Sequence, residues 1–570
     1  MRLLPTGISD YKEIIEKNCS YVDKTLLIEE VLVLGTKVIL IPRPRRFGKT
    51  SNLSMLKYFF EKTDQDHSFL FQNFKIWKTE KRKEQGQYPV IFITLKKIIN
   101  STWDHAYEEL KLLISAEFER HQVLLTALFP DPLPKGKEKG DSLLSDAEKT
   151  QFKSILDGSA NQTLFSDSLK KLTLWLNRYT QKKVVILIDE YDAPIHAAYL
   201  HSFYDPMIEF MRGWLGEGLK DNSCLEKAVL TGILRIAQES IFSGLNNCVS
   251  YTVLKEQFCD KFGFLEEEVS SLLKEHNISH QIKEIRSWYN GYRIGPCALY
   301  NPWSILRYIE EKGELGPYWV NTSDNELIKK LLIQGSPSMK QNMEKLLLGE
   351  SVTKPIDEGV SLRNLHTHPD AVFALFLFSG YLTLNQKPVY KNGALQCALK
   401  IPNQELFDLF KFSINEWMEM SLPNQGVPVL LGSLTTGNVK LFTELLQAII
   451  IKSMSFHDTL QSEPEMVYHS FVLGLLVALE ETHEVKSNRE SGYGRYDVCV
   501  IPKDRSKLGI VIEFKKVETE KELKKGAADA LNQIETQSYV AELQSLGIKK
   551  LLLLGIAFQG KRLVIKEKFV

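Results

Sequence analysis

The chain lacks a net charge: 71 lysines and arginines are matched by 71 aspartates and glutamates over 570 residues. That balance excludes a global field strong enough to draw the protein onto nucleic acid or an anionic membrane, so any polyanion contact must come from local patches. Paired cysteines are also missing. The seven present, Cys19, Cys224, Cys248, Cys259, Cys297, Cys397 and Cys499, are scattered, odd in number and contain no C-x-x-C pair, which argues against a disulfide framework or a zinc site. No apolar run reaches the roughly 18 residues of a spanning helix, and the N-terminus has no basic region followed by an apolar core. No membrane partner and a reducing cytoplasm are therefore expected. Repeats and low-complexity tracts are absent too, and the length exceeds one ordinary core, which predicts more than one globular domain.

What is present is densest near the end. Tyr496 to Ile501 and Leu508 to Phe514 are β-branched, apolar runs separated by Lys503-Asp504-Arg505-Ser506-Lys507, the pattern of a hairpin. A hairpin centred on Arg505 sets Asp497 and Glu513 opposite each other across the antiparallel pair. Facing carboxylates repel, so the pairing asks for a cation between them. Lys515, two residues beyond Glu513, projects on the same side. Two acids holding Mg²⁺ or Mn²⁺, with a lysine to orient water or stabilise a pentavalent phosphoryl group, form a hydrolytic arrangement. Glu513 and Lys515 also follow the interior-type run Ile510-Val511-Ile512, where unpaired acids are costly. Ala530 to Ile534 reads as helix and Lys549 to Phe558 as a further buried strand. Upstream, Tyr468 to Glu480 reads as a helix that brings Glu480 or His469 toward the site. Lys515, Lys516, Lys521, Lys524 and Lys525 form a local patch suited to tracking phosphates, or a solvated helix start.

Asp497 and Glu513-Phe514-Lys515 resemble the metal-binding Asp and (D/E)-x-K motif of the PD-(D/E)XK nuclease superfamily. With Asn488 to Tyr496 before them, they look like the nuclease half of bacterial and archaeal proteins that join an AAA-ATPase-like domain to such a nuclease. The resemblance implies a polar helix residue near the metal, and Gln533 matches the family's helix glutamine that approaches the active site, the plain alternative being a surface amide.

In the N-terminal half, Lys37 to Ile41 reads as a buried strand, Pro42 to Thr50 as a turn and Ser51 to Phe60 as helix, the context of a P-loop. Gly48 permits close backbone approach, Lys49 reaches the β- and γ-phosphates of ATP, and the Thr50 hydroxyl binds Mg²⁺. The first glycine of G-x-x-x-x-G-K-T is replaced by Arg43, and Pro44 removes a donor. Arg45 and Arg46 supply cationic donors instead, so that Arg45, Arg46, Phe47, Gly48, Lys49 and Thr50 are the expected phosphate loop. Lys183 to Asp192 is an apolar strand ending in acids, the form of a Walker B motif, in which Asp189 holds Mg²⁺ and Glu190 polarises the attacking water. Between the two, Lys135 to Asp146 looks like an exposed insertion. Tyr88 to Thr94 and Ala228 to Gly232 are further strands, with Thr231 placed to sense the γ-phosphate and Arg235 to act as sensor or finger. Tyr21 to Thr25, Arg43 to Thr50 and Leu187 to Asp192 resemble the same AAA-ATPase-like family, in which an arginine-rich loop is usual.

Trp288 to Arg293 and Tyr300 to Ile305 are aromatic turns that resemble the family's lid region, serving either a packed helical core or base stacking. Glu350 to Asp370 mixes proline, glycine and charge as a hinge would, and Phe442 to Ala448 begins a helix leading into the last domain. The expectation is an α/β protein: an AAA-like P-loop domain over 1–250, a helical lid over 251–435 and a PD-(D/E)XK nuclease-like domain over 436–570. It would bind and hydrolyse ATP and cut DNA under nucleotide control, possible self-assembly included. The alternative is a nucleotide-dependent switch or scaffold whose nuclease-like domain binds nucleic acid without cutting, and a third reading keeps the nuclease but an ATP site that only binds.

Overall fold

Five apolar runs build the N-terminal sheet: β1 (Val38–Pro42), β2 (Val90–Thr94), β3 (Val184–Asp189), β4 (Leu225–Gly232) and β5 (Cys248–Ser250). All pairings are parallel, in the order β2-β3-β4-β1-β5. Every residue of β1 and β3 is buried, as a sheet covered on both faces demands. The chain leaves β1, crosses to the far edge at β2, and returns through β3 and β4 to pair with β1. As a result β4 lies between the strand before the phosphate loop and the strand ending in Asp189. In such sheets ligands bind beyond the carboxyl ends of the strands.

The computed structural model describes residues 2–131, 137–138, 140–234, 247–278, 282–319, 331, 337–347, 349–359, 362, 370–411, 426–453, 472, 476, 479, 482–487, 490–491, 494–495, 497–536, 539–560 and 562–570. By internal contacts the chain divides into two units, Met1–Ser323 with Thr353–Glu405, and Asp324–Val352 with Leu406–Val570. Among the described residues no helix is long and apolar enough to cross a membrane.

In the first unit the stretch between β2 and β4 is filled by helices Trp103–Arg120, Asp146–Leu156, Gln162–Thr180 and Tyr204–Leu219. Thr102, Ser145 and Asn161 cap the first three by accepting backbone N–H bonds, as such N-cap side chains do. Of the expected insertion, Lys137, Glu138 and Gly140 are exposed. Leu143 and Leu144 at its end are buried, so it is anchored where the next helix begins. The aromatic turns belong to a packed core: Tyr289, Tyr292, Tyr300 and Tyr308 are all buried. Tyr292 opens a hairpin, β6 (Tyr292–Ile294) with β7 (Cys297–Leu299). The region expected to be helical also carries a second sheet of β8 (Val352–Pro355), β9 (Thr383–Leu384), β10 (Val389–Lys391) and β11 (Ala394–Lys400). The expected hinge therefore contains a strand.

In the second unit β12 (His483–Ser487), β15 (Val498–Pro502), β16 (Gly509–Lys516), β17 (Leu551–Gln559) and β18 (Arg562–Phe569) form a mixed sheet in that order, with a short hairpin of β13 (Glu490–Ser491) and β14 (Gly494–Arg495) before β15. Side-chain alternation decides its two faces. Ile510, Ile512 and Phe514 join a core with helices Gly426–Thr435 and Val439–Ser453. Cys499, Val511 and Leu553 pack with Ile534 of the Leu523–Thr536 helix. Residues 497, 513 and 515 fall on this second face. The fold is α/β, with a parallel N-terminal sheet and a mixed C-terminal one.

Candidate functional site

At the end of β1, Gly48 adopts a left-handed φ of 81° and starts the Lys49–Phe60 helix. A helix N-terminus presents free N–H groups suited to phosphate. Lys49 is buried; its Nζ donates to the carbonyls of Arg43 and Pro44, each at 3.2 Å, and lies 3.3 Å from Glu190 Oε1. The fully buried Asp189 accepts from the Thr50 hydroxyl at 2.7 Å and the Thr231 hydroxyl at 2.8 Å. Helix start, β3 and β4 thus converge on one carboxylate. The Thr50 and Asp189 oxygens are the hard donors Mg²⁺ prefers, and they fit it.

Glu190 has a left-handed φ of 51°, a conformation that costs a non-glycine residue about 1–3 kcal/mol. Burial pushes its carboxyl above the ordinary glutamate range; Lys49 opposes the shift, and Asp192 and Asp189 reinforce it. A carboxylate so raised is suited to general-base work.

The rest of the loop is used differently. Arg43 is fully buried, and its guanidinium donates to the carbonyls of Pro42 at 2.8 Å, Tyr251 at 2.6 Å and Phe258 at 3.1 Å. Burial pushes its pKa down to about 9, which leaves it cationic at neutral pH. The residue in place of the first glycine is thus a clamp on the segment after β5. The Arg46 guanidinium lies 4.4 Å from the centre of the Trp303 ring, and the Phe47 ring packs edge-on against Tyr292 at 5.0 Å. The Arg45 carbonyl accepts from the Trp319 indole at 3.1 Å. Gly48, Lys49 and Thr50 are brought together with Asp189, Glu190 and Thr231; Arg235 lies outside the described residues.

Asp192 was not singled out in the sequence. Its carboxylate accepts the N–H groups of Ile233 at 2.8 Å and Leu234 at 2.9 Å, tying the turn after β3 to the end of β4. A Cβ on Gly232 would stand 2.4 Å from it. Burial pushes Asp192 up, but His196 and the two N–H donors outweigh it and hold the carboxyl below the usual range. Asp192→Ala is expected to lower stability by about 1–3 kcal/mol for each orphaned N–H. Since the folded pKa is depressed, this contribution is present above the unfolded value of about 3.9 and is lost as pH falls through the folded one. Denaturant melts of both proteins from neutral to acid pH check it: the gap must close on acidification.

In the second unit the ladder pairs Val498 with Ile512, Cys499 with Val511 and Val500 with Ile510, so its register continues to Asp497 opposite Glu513. Asp497 Oδ2 accepts the Phe514 N–H at 2.8 Å, and Glu513 Oε2 accepts the Asp497 N–H at 3.3 Å. Glu513 Oε1 accepts from the Gln533 side-chain amide. Lys515 is 3.4 Å from Asp529 Oδ2. Asp529 and Gln533 are four apart on the Leu523–Thr536 helix and share its face, a spacing that could have flagged Asp529. Gly555, paired with Glu513, lets this helix approach: a Cβ there would lie 2.3 Å from the Ala527 carbonyl. Among the described residues no group of three or more His, Cys, Asp or Glu is gathered for a metal. Asp497 and Glu513 are a facing pair of oxygen donors, which fits Mg²⁺ or Mn²⁺. His469 and Glu480 lie outside the described residues. Lys521, Lys524 and Lys525 are exposed but share their surface with Glu518, Glu520 and Glu522, so the local charge is mixed.

A buried parallel sheet with a glycine, lysine and threonine turn facing an Asp-Glu pair has the form of a P-loop module, and two carboxylates and a lysine on a mixed sheet have the form of a nuclease-superfamily domain. Comparison with known proteins agrees. Residues 5–242 match the family described as "Predicted AAA-ATPase", and residues 463–568 match the PD-(D/E)XK nuclease superfamily. The chain carries an AAA-ATPase-like domain followed by a PD-(D/E)XK nuclease-superfamily domain. An uncharacterized protein in the vnfD 5′ region of Azotobacter chroococcum mcd 1 is 27% identical over 591 residues, covering 97% of this chain and 96% of that protein.

Proposed function

We propose that the protein binds and hydrolyses ATP at the Lys49, Thr50, Asp189 and Glu190 centre and cleaves DNA phosphodiester bonds at the Asp497, Glu513 and Lys515 centre, with nucleotide state controlling cleavage. The observation that carries the reading is the convergence of Asp497 and Glu513 from facing strands, with Lys515 on the same face and Gln533 bonded to Glu513. Coupling is supported by the relative that aligns across both domains.

In the ATP centre, Gly48 and the helix N-terminus receive phosphate oxygens, Lys49 turns from the loop carbonyls to the β- and γ-phosphates, and Thr231 orients Asp189. Thr50 and Asp189 would hold Mg²⁺, and Glu190 accepts a proton from the attacking water. In the nuclease centre, Asp497 and Glu513 would hold a divalent ion, whose chemistry there would be to acidify water and neutralise charge on a phosphoryl oxygen. Gln533 fixes the Glu513 rotamer. Lys515 meets negative charge as it builds on the phosphate, and Asp529 keeps the lysine near that position.

The test is incubation of the full chain with circular and linear DNA, with Mg²⁺ or Mn²⁺, with and without ATP. Metal-dependent nicking or cutting that responds to ATP is expected. ATP turnover without cleavage in any condition would overturn the nuclease reading in favour of a switch that binds nucleic acid without cutting.

A further inference from the structure

The sulfurs of Cys259 and Cys297 are 2.8 Å apart, closer than the about 3.5–4.0 Å at which even nonbonded carbon atoms settle and within an ångström of the about 2.05 Å of a disulfide. Both side chains are half-buried, so a small oxidant can reach them. Each belongs to a segment that frames the phosphate loop. The segment bearing Cys259 holds the Arg43 guanidinium through the carbonyls of Tyr251 and Phe258, receives the Asn52 amide on the Lys261 carbonyl at 2.9 Å, and donates Gly263 N–H to Phe47 at 3.3 Å. Cys297 opens β7 in the hairpin whose Tyr292 packs on Phe47. The hairpin already touches the Cys259 segment through the Gly295 N–H bond to Val253 at 3.0 Å.

We propose that Cys259 and Cys297 are a modification site: a reversible intrachain disulfide, formed by a hydroperoxide and opened by a thiol reductant, that fastens together the two segments framing the phosphate loop. The step balances. One sulfur gives up its proton and, as thiolate, attacks an oxygen of hydrogen peroxide; the O–O bond breaks, a sulfenic acid forms, and the departing hydroxide takes up that proton as water. The second sulfur attacks the first, an S–S bond forms, and hydroxide leaves with the remaining thiol proton as water. Two electrons pass from the two sulfurs to the peroxide. Burial, the hydrogen bond its S–H donates to Cys259 and the charge of that sulfur push the Cys297 thiol up to about 12. Cys297 therefore keeps its proton at neutral pH and is the sulfur that resolves the bond.

The experiment treats the folded full chain with hydrogen peroxide, then compares intact mass and non-reducing peptide maps with those of Cys259→Ser and Cys297→Ser. Expected are loss of two hydrogens, one peptide pair joining Cys259 to Cys297, its absence in both variants, its reversal by dithiothreitol, and a higher melting midpoint for the oxidised than for the reduced wild type. Free thiols at both positions after peroxide, irreversible oxidation of either without a cross-link, or a cross-link to another cysteine would each overturn the proposal. The serine variants differ by a single atom, and the reduced wild type is the folded control.

Discussion

Lys515→Ala is expected to lower metal-dependent cleavage by about 10²–10³-fold, the size of effect seen when one charge-stabilising group is removed from a reacting centre. The side chain is 41% exposed and leans on Asp529, so its removal leaves no cavity and orphans no buried group. Stability should stay within about 0.5 kcal/mol of wild type. Cleavage kinetics with saturating Mg²⁺, run beside a melting curve, separate lost chemistry from lost fold. Metal affinity, read by calorimetry, should be retained in this variant and lost in Asp497→Asn, because the proposal assigns the ion to the two carboxylates and not to the lysine. Cleavage by Lys515→Ala at the wild-type rate would remove the lysine from the centre.

Glu190→Gln is expected to reduce ATP hydrolysis by about 10²–10⁴-fold, the span of general-base contributions, with ATP binding retained. The amide keeps the shape but cannot take a proton. The left-handed backbone at Glu190 aims the side chain at Lys49 rather than at the Asp189 hydroxyl cluster, so the substitution leaves the Thr50 and Thr231 bonds to Asp189 in place. The same residue fixes the pH profile. Burial raises its pKa, and a base works deprotonated, so the wild-type rate rises with pH through a midpoint above the ordinary glutamate value of about 4.3. Steady-state turnover across pH should show that limb in wild type and none in the variant. If the variant only loses hydrolysis, DNA cleavage in the presence of ATP reports whether binding or turnover is the controlling event.

The strands that carry chemistry were legible because they are interior ones. β1, β3 and β16 carry continuous runs of valine, isoleucine and leucine, and β17 opens on four leucines, a pattern that suits a sheet covered on both faces. Strands at edges were not. β12 and β18 mix lysines and glutamates with apolar residues, which blunts an exposed edge and also blurs the pattern, while β5 and β8 to β11 run to between two and seven residues, too short for a period to declare itself. The opposition of Asp497 and Glu513 followed from counting outward from Arg505, since a hairpin's register is fixed by its turn. Gly555 and Asp192 were not legible, because their roles depend on where a helix or a neighbouring strand end comes to rest, and Asp529 offered only its four-residue spacing from Gln533. Arg43 was visible only as a departure from glycine; its three carbonyl partners lie on both sides of the loop and as far away as Phe258. The meeting of Cys259 with Cys297 was likewise invisible, being set by the fold of the hairpin and not by spacing.

β16 is hydrogen-bonded on both edges, to β15 and to β17, whereas Asp497 stands one residue outside β15. Glu513 therefore rides on a segment that opens only with the whole sheet, and Asp497 on one that can fray by itself. Two bonds, Phe514 N–H to Asp497 and Asp497 N–H to Glu513, help to close this last rung. The facing carboxylates thus have a local opening equilibrium of their own, and in the proposed nuclease centre breathing at a single rung would interrupt cleavage while the sheet around it stays folded.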